Sequence, residues 1–193
     1  MMRKPFIYFT LLIVWLLGGS CCRQSDLTIQ HALAAWQPYT NPEKLVFTNE
    51  TGTDTLRFTT SLRQFNKPAH DKVCGTYAVE TREALLKLTA DTSFQVRVII
   101  SHEAVLSILV TNKQPVGNNL YIQYNGVSDQ FISDPWRDRL KNGEIINGVS
   151  YPQLLHVYGN QIPGKLSFSD LLYAKNKGVV GFKLFEGGWY YKI

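Results

Sequence analysis

The chain has 193 residues, of which 45% are hydrophobic and 18% charged, and its formal net charge is +5. This length suits one domain with a core of its own. The sequence contains neither a fixed-period repeat nor a low-complexity segment, which argues against a repeat protein. No run of Lys and Arg follows residue 20, so nucleic acid is not expected as a partner.

Residues 1–20 have the three parts of an export signal. Arg3 and Lys4 supply the positive start. The apolar run Phe6–Leu17 is 12 residues long, whereas a helix that spans a bilayer needs about 20 apolar residues. Small residues follow at 18–20, as signal peptidases require. The pattern therefore predicts a cleaved signal peptide, which leaves 18 basic and 15 acidic residues and a mature charge of about +3.

A cysteine follows the small residues directly. The segment Leu17–Cys21 resembles a bacterial lipobox, Leu-small-small-Cys, with the leucine one position earlier than in the common pattern. Looser lipoboxes of this form are similar to those of Bacteroidota. The resemblance implies that the Cys21 thiol receives a diacylglycerol and becomes the new N-terminus, so that acyl chains such as palmitate hold the protein on a membrane. Two alternatives stay open: an incidental cysteine after a plain signal peptide, and lipidation of Cys22.

The residue after the lipobox cysteine bears on location. It is Cys22 and not Asp, so the sequence lacks the inner-membrane retention signal of enterobacterial lipoproteins. We therefore expect a lipid-anchored protein of the bacterial cell envelope, on the outer membrane rather than the inner one.

Residues 21–26 are a short polar tether, and residues 27–193 form the single predicted domain. A short helix is expected over Leu27–Trp36, with Asp26 as its cap and Pro38 beyond its end. An ordered coil that leads into the first strand is the alternative.

Period-two alternation begins after this segment and predicts strands for most of the remaining chain. Asn147-Gly148 between two apolar runs is a strong hairpin signal, whereas the polar stretch Arg63–Lys72, with Pro68 inside it, is predicted to be a loop. The fold class is mainly β: an antiparallel meander that forms a curved sheet, a half-barrel or a sandwich, with one short N-terminal helix. The clearest strands are Leu45–Thr48, Thr55–Thr59, Gly75–Thr89, Phe94–Ile100, Ala104–Thr111, Leu120–Tyr124, Leu171–Ala174, Val179–Phe185 and Trp189–Ile193.

Two motifs give the mature chain a family resemblance. The first is a hairpin with Val46-Phe47-Thr48-Asn49, Gly52 and Asp54-Thr55, and the second is Gly178-Val179-Val180-Gly181-Phe182 followed by Gly187-Gly188-Trp189. With the loose lipobox, they resemble uncharacterised small lipoproteins of Bacteroidota. These motifs describe turns and strands, and the resemblance implies no particular activity.

No catalytic or metal-binding motif is found. His31, His70, His102 and His156 lack metal-ligand spacing, and there is no H-E-x-x-H, C-x-x-C or G-x-S-x-G. We therefore expect no cofactor, no metal and no catalytic residues. Cys22 and Cys74 form a disulfide in one interpretation, and Cys74 is a small buried strand residue in the interpretation that we favour.

The aromatic residues of the C-terminal half are the remaining functional signal. Alternation puts Trp189 and Tyr191 on one face of the last strand and Tyr190 on the other. Trp136, Trp189 and Tyr190 are the candidate ligand-binding residues, because exposed aromatics stack on sugar rings or insert into partners.

Three functions follow as hypotheses. The first is a non-catalytic binding or interaction module that contacts an envelope protein. The second is a lipoprotein that binds a glycan or small ligand through its C-terminal aromatics. The third and weakest is an envelope hydrolase. An aromatic-rich core is the simplest alternative explanation of the same residues.

Overall fold

The computed structural model describes residues 29, 31–71, 75–92, 94–101, 105–111, 118–125, 130–131, 140–158 and 168–193. The predicted signal peptide and tether, with Cys21 and Cys22, lie outside these residues, as do Cys74 and Trp136. None of the helices in the described part is long and apolar enough to cross a membrane.

Twelve strands are formed by the described residues, and all pair antiparallel in one sheet. Their order across the sheet is β7-β6-β5-β4-β3-β2-β1-β12-β11-β10-β9-β8, so the last strand pairs with the first. The sheet does not close, because β7 and β8 stand at opposite edges. The strands are β1 (Lys44–Asn49), β2 (Thr55–Asp71), β3 (Gly75–Leu88), β4 (Gln95–Ser101), β5 (Val105–Thr111), β6 (Asn118–Asn125), β7 (Gln130–Phe131), β8 (Leu140–Ile146), β9 (Val149–Tyr158), β10 (Phe168–Ala174), β11 (Gly178–Leu184) and β12 (Trp189–Lys192).

The antiparallel, mainly β fold is confirmed, and the two-sheet sandwich is not formed by the described strands. The predicted helix over Leu27–Trp36 is not confirmed: helical geometry in the described part is limited to one turn, α1 (His31–Ala34). Hydrogen bonds to the sheet fix this segment instead, so helix propensity does not decide its conformation.

The predicted loop at Arg63–Lys72 is wrong for residues 63–71, which continue β2 and pair with β3 as far as Asp71 opposite Gly75. β1 pairs with β2 only at Thr55–Thr59. Beyond that point β2 has one described neighbour, and proline is tolerated in an edge position because its missing N–H leaves no partner unpaired.

The sheet is strongly curved. The Trp36 ring stacks on Tyr173 of β10 at 6.3 Å between ring centroids, and the side-chain amide of the next residue, Gln37, donates to the Val98 carbonyl of β4 at 3.2 Å. Six strand spacings separate β4 from β10, or about 29 Å in a flat sheet. Two adjacent residues reach both strands only because the sheet bends around them.

We call the concave side of the sheet the inner face and the convex side the outer face. The inner face carries the main core, in which Phe47, Phe58 and Phe182 pack at 5.1–5.8 Å between ring centroids. Phe182 is 1% exposed and lies at the centre of this core.

Residues 29 and 31–40, here called the N-terminal strap, lie against the inner face. The Ile29 amide donates to Glu80 at 2.8 Å, the Tyr173 hydroxyl donates to the Trp36 carbonyl, and the Val179 amide donates to the Tyr39 hydroxyl at 2.8 Å. The bond from Ile29, and less strongly the Arg82 guanidinium, lowers the pKa of the Glu80 carboxyl although burial opposes this. Together with the bond from Gln37 to Val98, these contacts hold the strap against the sheet along its length.

Gly178 makes room for the strap. Its φ is +73°, and a Cβ there would lie only 2.7 Å from Tyr39 Cε1. Glycine removes both difficulties, because it adopts positive φ without strain and leaves space for the ring.

The predicted Asn147-Gly148 hairpin is confirmed. Both residues have positive φ, 51° and 79°, and Ile146 pairs with Val149 across the turn. These are the dihedral signs of a two-residue type I′ turn.

Candidate functional site

The outer face of the last strands carries a group of partly exposed rings, which we call the aromatic shelf: Trp189, Tyr191, His156 and Tyr158. Trp189 and Tyr191 lie on the same face, as the alternation predicts, and their rings stack at 5.9 Å with planes 10° apart. His156 lies 4.1 Å from the Tyr158 ring and 6.1 Å from the Trp189 ring. Trp189 and Tyr191 pack against a small second core, which is formed by Tyr151, Leu154, Leu172, Ala174 and Val180.

Strand register explains how these rings meet. His156 pairs with Leu172, Leu172 with Gly181, and Gly181 with Tyr191, so one row crosses four strands. A Cβ at Gly181 would come within 3.0 Å of the Tyr191 ring. Glycine at this position therefore leaves room for the Tyr191 ring over β11. The β12 ring that lies near His156 is Trp189, which pairs with Lys183 two residues further along β11, although three strand spacings, about 14 Å, separate the backbones of β9 and β12.

A polar group adjoins the shelf. Nε2 of His156 lies 2.9 Å from Oδ1 of Asp170, and the Ser169 hydroxyl donates to Oδ2 of the same carboxylate at 2.7 Å. The side chains of His156 and Asp170 are 16% and 17% exposed. Both carboxylate oxygens thus have a protein partner, which fixes the orientation of the carboxylate beside the rings.

The order of these three groups is unsuited to nucleophilic catalysis. A serine nucleophile needs a base bonded to its own hydroxyl, normally an imidazole that a carboxylate then orients. Here the carboxylate stands between the hydroxyl of Ser169 and the imidazole of His156. Among the described residues, no three His, Cys, Asp or Glu side chains form a group that could hold a metal ion. Stacking and hydrogen bonding are what this arrangement supports.

The structure separates the predicted ligand-binding residues. Trp189 belongs to the shelf, Trp136 lies outside the described residues, and Tyr190 points to the inner face, where it is 7% exposed. The Tyr190 ring stacks on Phe182 at 5.4 Å, and its hydroxyl donates to Asp54 at 2.5 Å. Burial, then the Asp54 carboxylate, raises the pKa of Tyr190 to about 12. Tyr190 is therefore a core residue, and the shelf uses Tyr191.

Sequence reasoning missed His156, Tyr158 and Asp170 as members of the site. His156 and Tyr158 alternate in a strand, and Asp170 precedes an apolar run, which are weak signals by themselves. Their convergence depends on the pairing of β9 with β10, which local pattern does not specify.

The fold and the site together define an open antiparallel β-sheet with an aromatic shelf on its convex face. No protein-family model, no curated protein and no solved structure matches the chain. The resemblance to Bacteroidota lipoproteins stays a prediction from the lipobox and the two motifs.

Proposed function

We propose that the chain is a non-catalytic binding module of the bacterial cell envelope and that its aromatic shelf binds a glycan. The observation that carries the proposal is the pair of stacked, partly exposed rings of Trp189 and Tyr191 beside the His156–Asp170 pair.

The chemistry of these side chains fits a sugar. The apolar face of a sugar ring packs on an aromatic face, and its hydroxyls need fixed donors and acceptors at the edge of the ring. Asp170 accepts hydrogen bonds and is already oriented by Ser169 and His156. A few fixed polar groups beside an aromatic surface are typical of small-ligand sites.

Trp189→Ala and Tyr191→Ala are expected to weaken glycan binding at least about tenfold each, since each removes one face of the stacked pair. A glycan array followed by isothermal titration of the best ligand measures this. Phe185→Ala is the matched control, because Phe185 is an aromatic side chain in the β11–β12 turn, 36% exposed, and is not part of the shelf. Equal binding by wild type and both shelf variants would show that the shelf is not the glycan site.

The proposal places the module on a membrane through a diacylglyceryl group on Cys21, in the outer membrane rather than the inner one. The lipobox-like sequence after a short apolar run supports this. Cys21→Ala is expected to abolish lipid labelling and to leave the precursor uncleaved, as shown by intact mass. The control is Cys22→Ala, which keeps the acyl mass if Cys21 is the modified residue. A mature protein without acyl mass would end the lipoprotein proposal.

Contact with an envelope protein is the second candidate function. At the tip of the β8–β9 hairpin, Ile145 is 70% exposed and Val149 48% exposed. Val149 pairs with Ile146 and Ile145 pairs with Ser150, so Ile145 and Val149 lie on opposite faces of the hairpin. A partner that covers both side chains would have to enclose the hairpin tip. The variant Ile145→Ser with Val149→Ser is expected to lose such a partner in a pull-down from envelope extracts and to keep glycan binding.

A further inference from the structure

The outer face of β1–β4 collects basic side chains that are far apart in the sequence. Register puts them on the same face as the aromatic shelf, since Thr48 pairs with Tyr191 on one side and Thr55 on the other. All are exposed. We call this set the basic strip: Lys44, Arg57, Arg63, Lys67, Lys87 and Arg97.

Three members of the strip lie on a diagonal. Lys87 pairs with Thr59, two residues beyond Arg57, and Arg97 pairs with Leu85, two residues before Lys87. Each step therefore moves one strand across and two residues along, which separates successive backbone positions by about 8 Å. Three positive charges follow one another across β2, β3 and β4 at a regular interval.

The diagonal leads to the shelf. Tyr191 is two strands from β2 and level with Thr55, so its backbone is about 12 Å from that of Arg57. Exposed hydroxyls of Thr55 and Thr59 lie beside Arg57 on the same strand. Rings, hydroxyls and cations thus lie on the same face of β12, β1 and β2, within about 12 Å of one another.

Few acidic groups offset these charges. Among side chains that the structure describes on the outer face of β1–β4, Glu83 is the one carboxylate, and it is paired with Arg97 at 3.3 Å. Glu50, in the β1–β2 turn, is close enough to Tyr191 to add to the rise in its pKa that burial causes. The strip keeps a clear positive excess, whereas the mature chain as a whole carries only about +3.

We infer that the ligand of the aromatic shelf is an acidic polysaccharide, with one sugar on Trp189 and Tyr191 and its anionic groups along Arg57, Lys87 and Arg97. This inference rests on the proposed glycan binding and names the class of glycan. Charge complementarity selects the anion. The convex shape of the outer face favours a flexible polysaccharide over an anionic lipid bilayer as the ligand. A flat bilayer touches a convex sheet at few points, whereas a flexible polymer follows its curvature.

The test uses the full-length protein in nonionic detergent with polygalacturonate, alginate and heparin as acidic probes and pullulan as the uncharged one. Wild type is expected to bind at least one acidic polymer about tenfold more tightly than pullulan at low salt, and the difference is expected to shrink at 0.5 M NaCl because salt screens exposed charges. Arg57→Gln with Lys87→Gln should weaken acidic binding at least about fivefold. Arg97 is left in place because its removal would unpair Glu83.

The matched control is Lys177→Gln, an exposed lysine outside the strip, compared with the single variant Lys87→Gln; each removes one positive charge, and only Lys87→Gln should weaken acidic binding. Glu50→Gln should tighten acidic binding slightly. Thermal melts verify that each variant is folded.

Three outcomes would overturn the inference. Equal affinity for pullulan and the acidic polymers, lost in Trp189→Ala, would leave glycan binding intact and show the ligand to be neutral. A similar loss of affinity for acidic polymers in the control and strip variants would mean that binding depends on the net charge of the protein and not on the strip. Binding of single-stranded DNA or anionic vesicles as tightly as any polysaccharide, with Trp189→Ala unaffected, would replace the glycan with another polyanion.

Discussion

Phe182→Ala is expected to lower the free energy of unfolding by about 3–5 kcal/mol, the usual range for a large buried ring. The ring is 1% exposed and lies 5.1 Å from Phe47, 5.8 Å from Phe58 and 5.4 Å from Tyr190. It therefore joins β1, β2 and β12 from its place on β11. Domains of this size are stable by only about 5–15 kcal/mol, so urea melts should show a large fall in midpoint.

Phe185→Ala is the internal control, since its ring is 36% exposed and should cost less than about 1 kcal/mol. Tyr190→Ala should approach the loss of Phe182→Ala, because Tyr190 is buried and its hydroxyl is bonded to Asp54. A loss below about 1 kcal/mol for Phe182→Ala would contradict the packing described for the inner face.

Gly178→Ala is expected to cost about 2–5 kcal/mol for two separable reasons. A φ of +73° disfavours any residue with a Cβ by about 1–2 kcal/mol. The new Cβ also overlaps the Tyr39 ring, and forcing extra atoms into a packed site typically costs about 1–3 kcal/mol. Urea melts measure the sum.

Gly52→Ala isolates the backbone contribution. Gly52 has nearly the same φ, +72°, but a Cβ there meets no atom within 4 Å, so only about 1–2 kcal/mol should be lost. Tyr39→Ala should lower the additional cost of Gly178→Ala, which a double-mutant cycle would show as coupling. Equal losses at Gly52 and Gly178 would mean that the strap gives way to the new Cβ.

Much of the sheet could be predicted from local pattern. Alternation predicted that Trp189 and Tyr191 share a face opposite Tyr190, and Asn147-Gly148 predicted its hairpin, because a pleated strand has period two and a type I′ turn needs positive φ. The prediction of a loop in the polar segment around Pro68 was wrong, because residues 63–71 belong to β2. Its side chains resemble those of a loop because this part of β2 is paired only with β3 in the described residues.

The candidate site was less predictable, because it depends on register between distant strands. Tyr190 and Tyr191 are adjacent and chemically alike, and only the packing of Tyr190 on Phe182 shows which of them is available to a ligand. The basic strip was missed for the same reason. Arg57, Lys87 and Arg97 form no cluster in the sequence, and it is the β2–β3–β4 pairing that aligns them.

The bond between Ile29 and Glu80 limits how far the domain can lie from a lipid anchor at Cys21. If Cys21 carries the lipid, as we propose, eight residue-to-residue steps lead from the anchor to Ile29, the first described residue that bonds to the sheet, and a fully extended chain of eight steps spans at most about 29 Å. The domain would then work within about its own diameter of the bilayer surface. It would bind only ligands that reach this layer near the membrane, and a force on the anchor would reach the Ile29–Glu80 bond before the other described contacts of the strap.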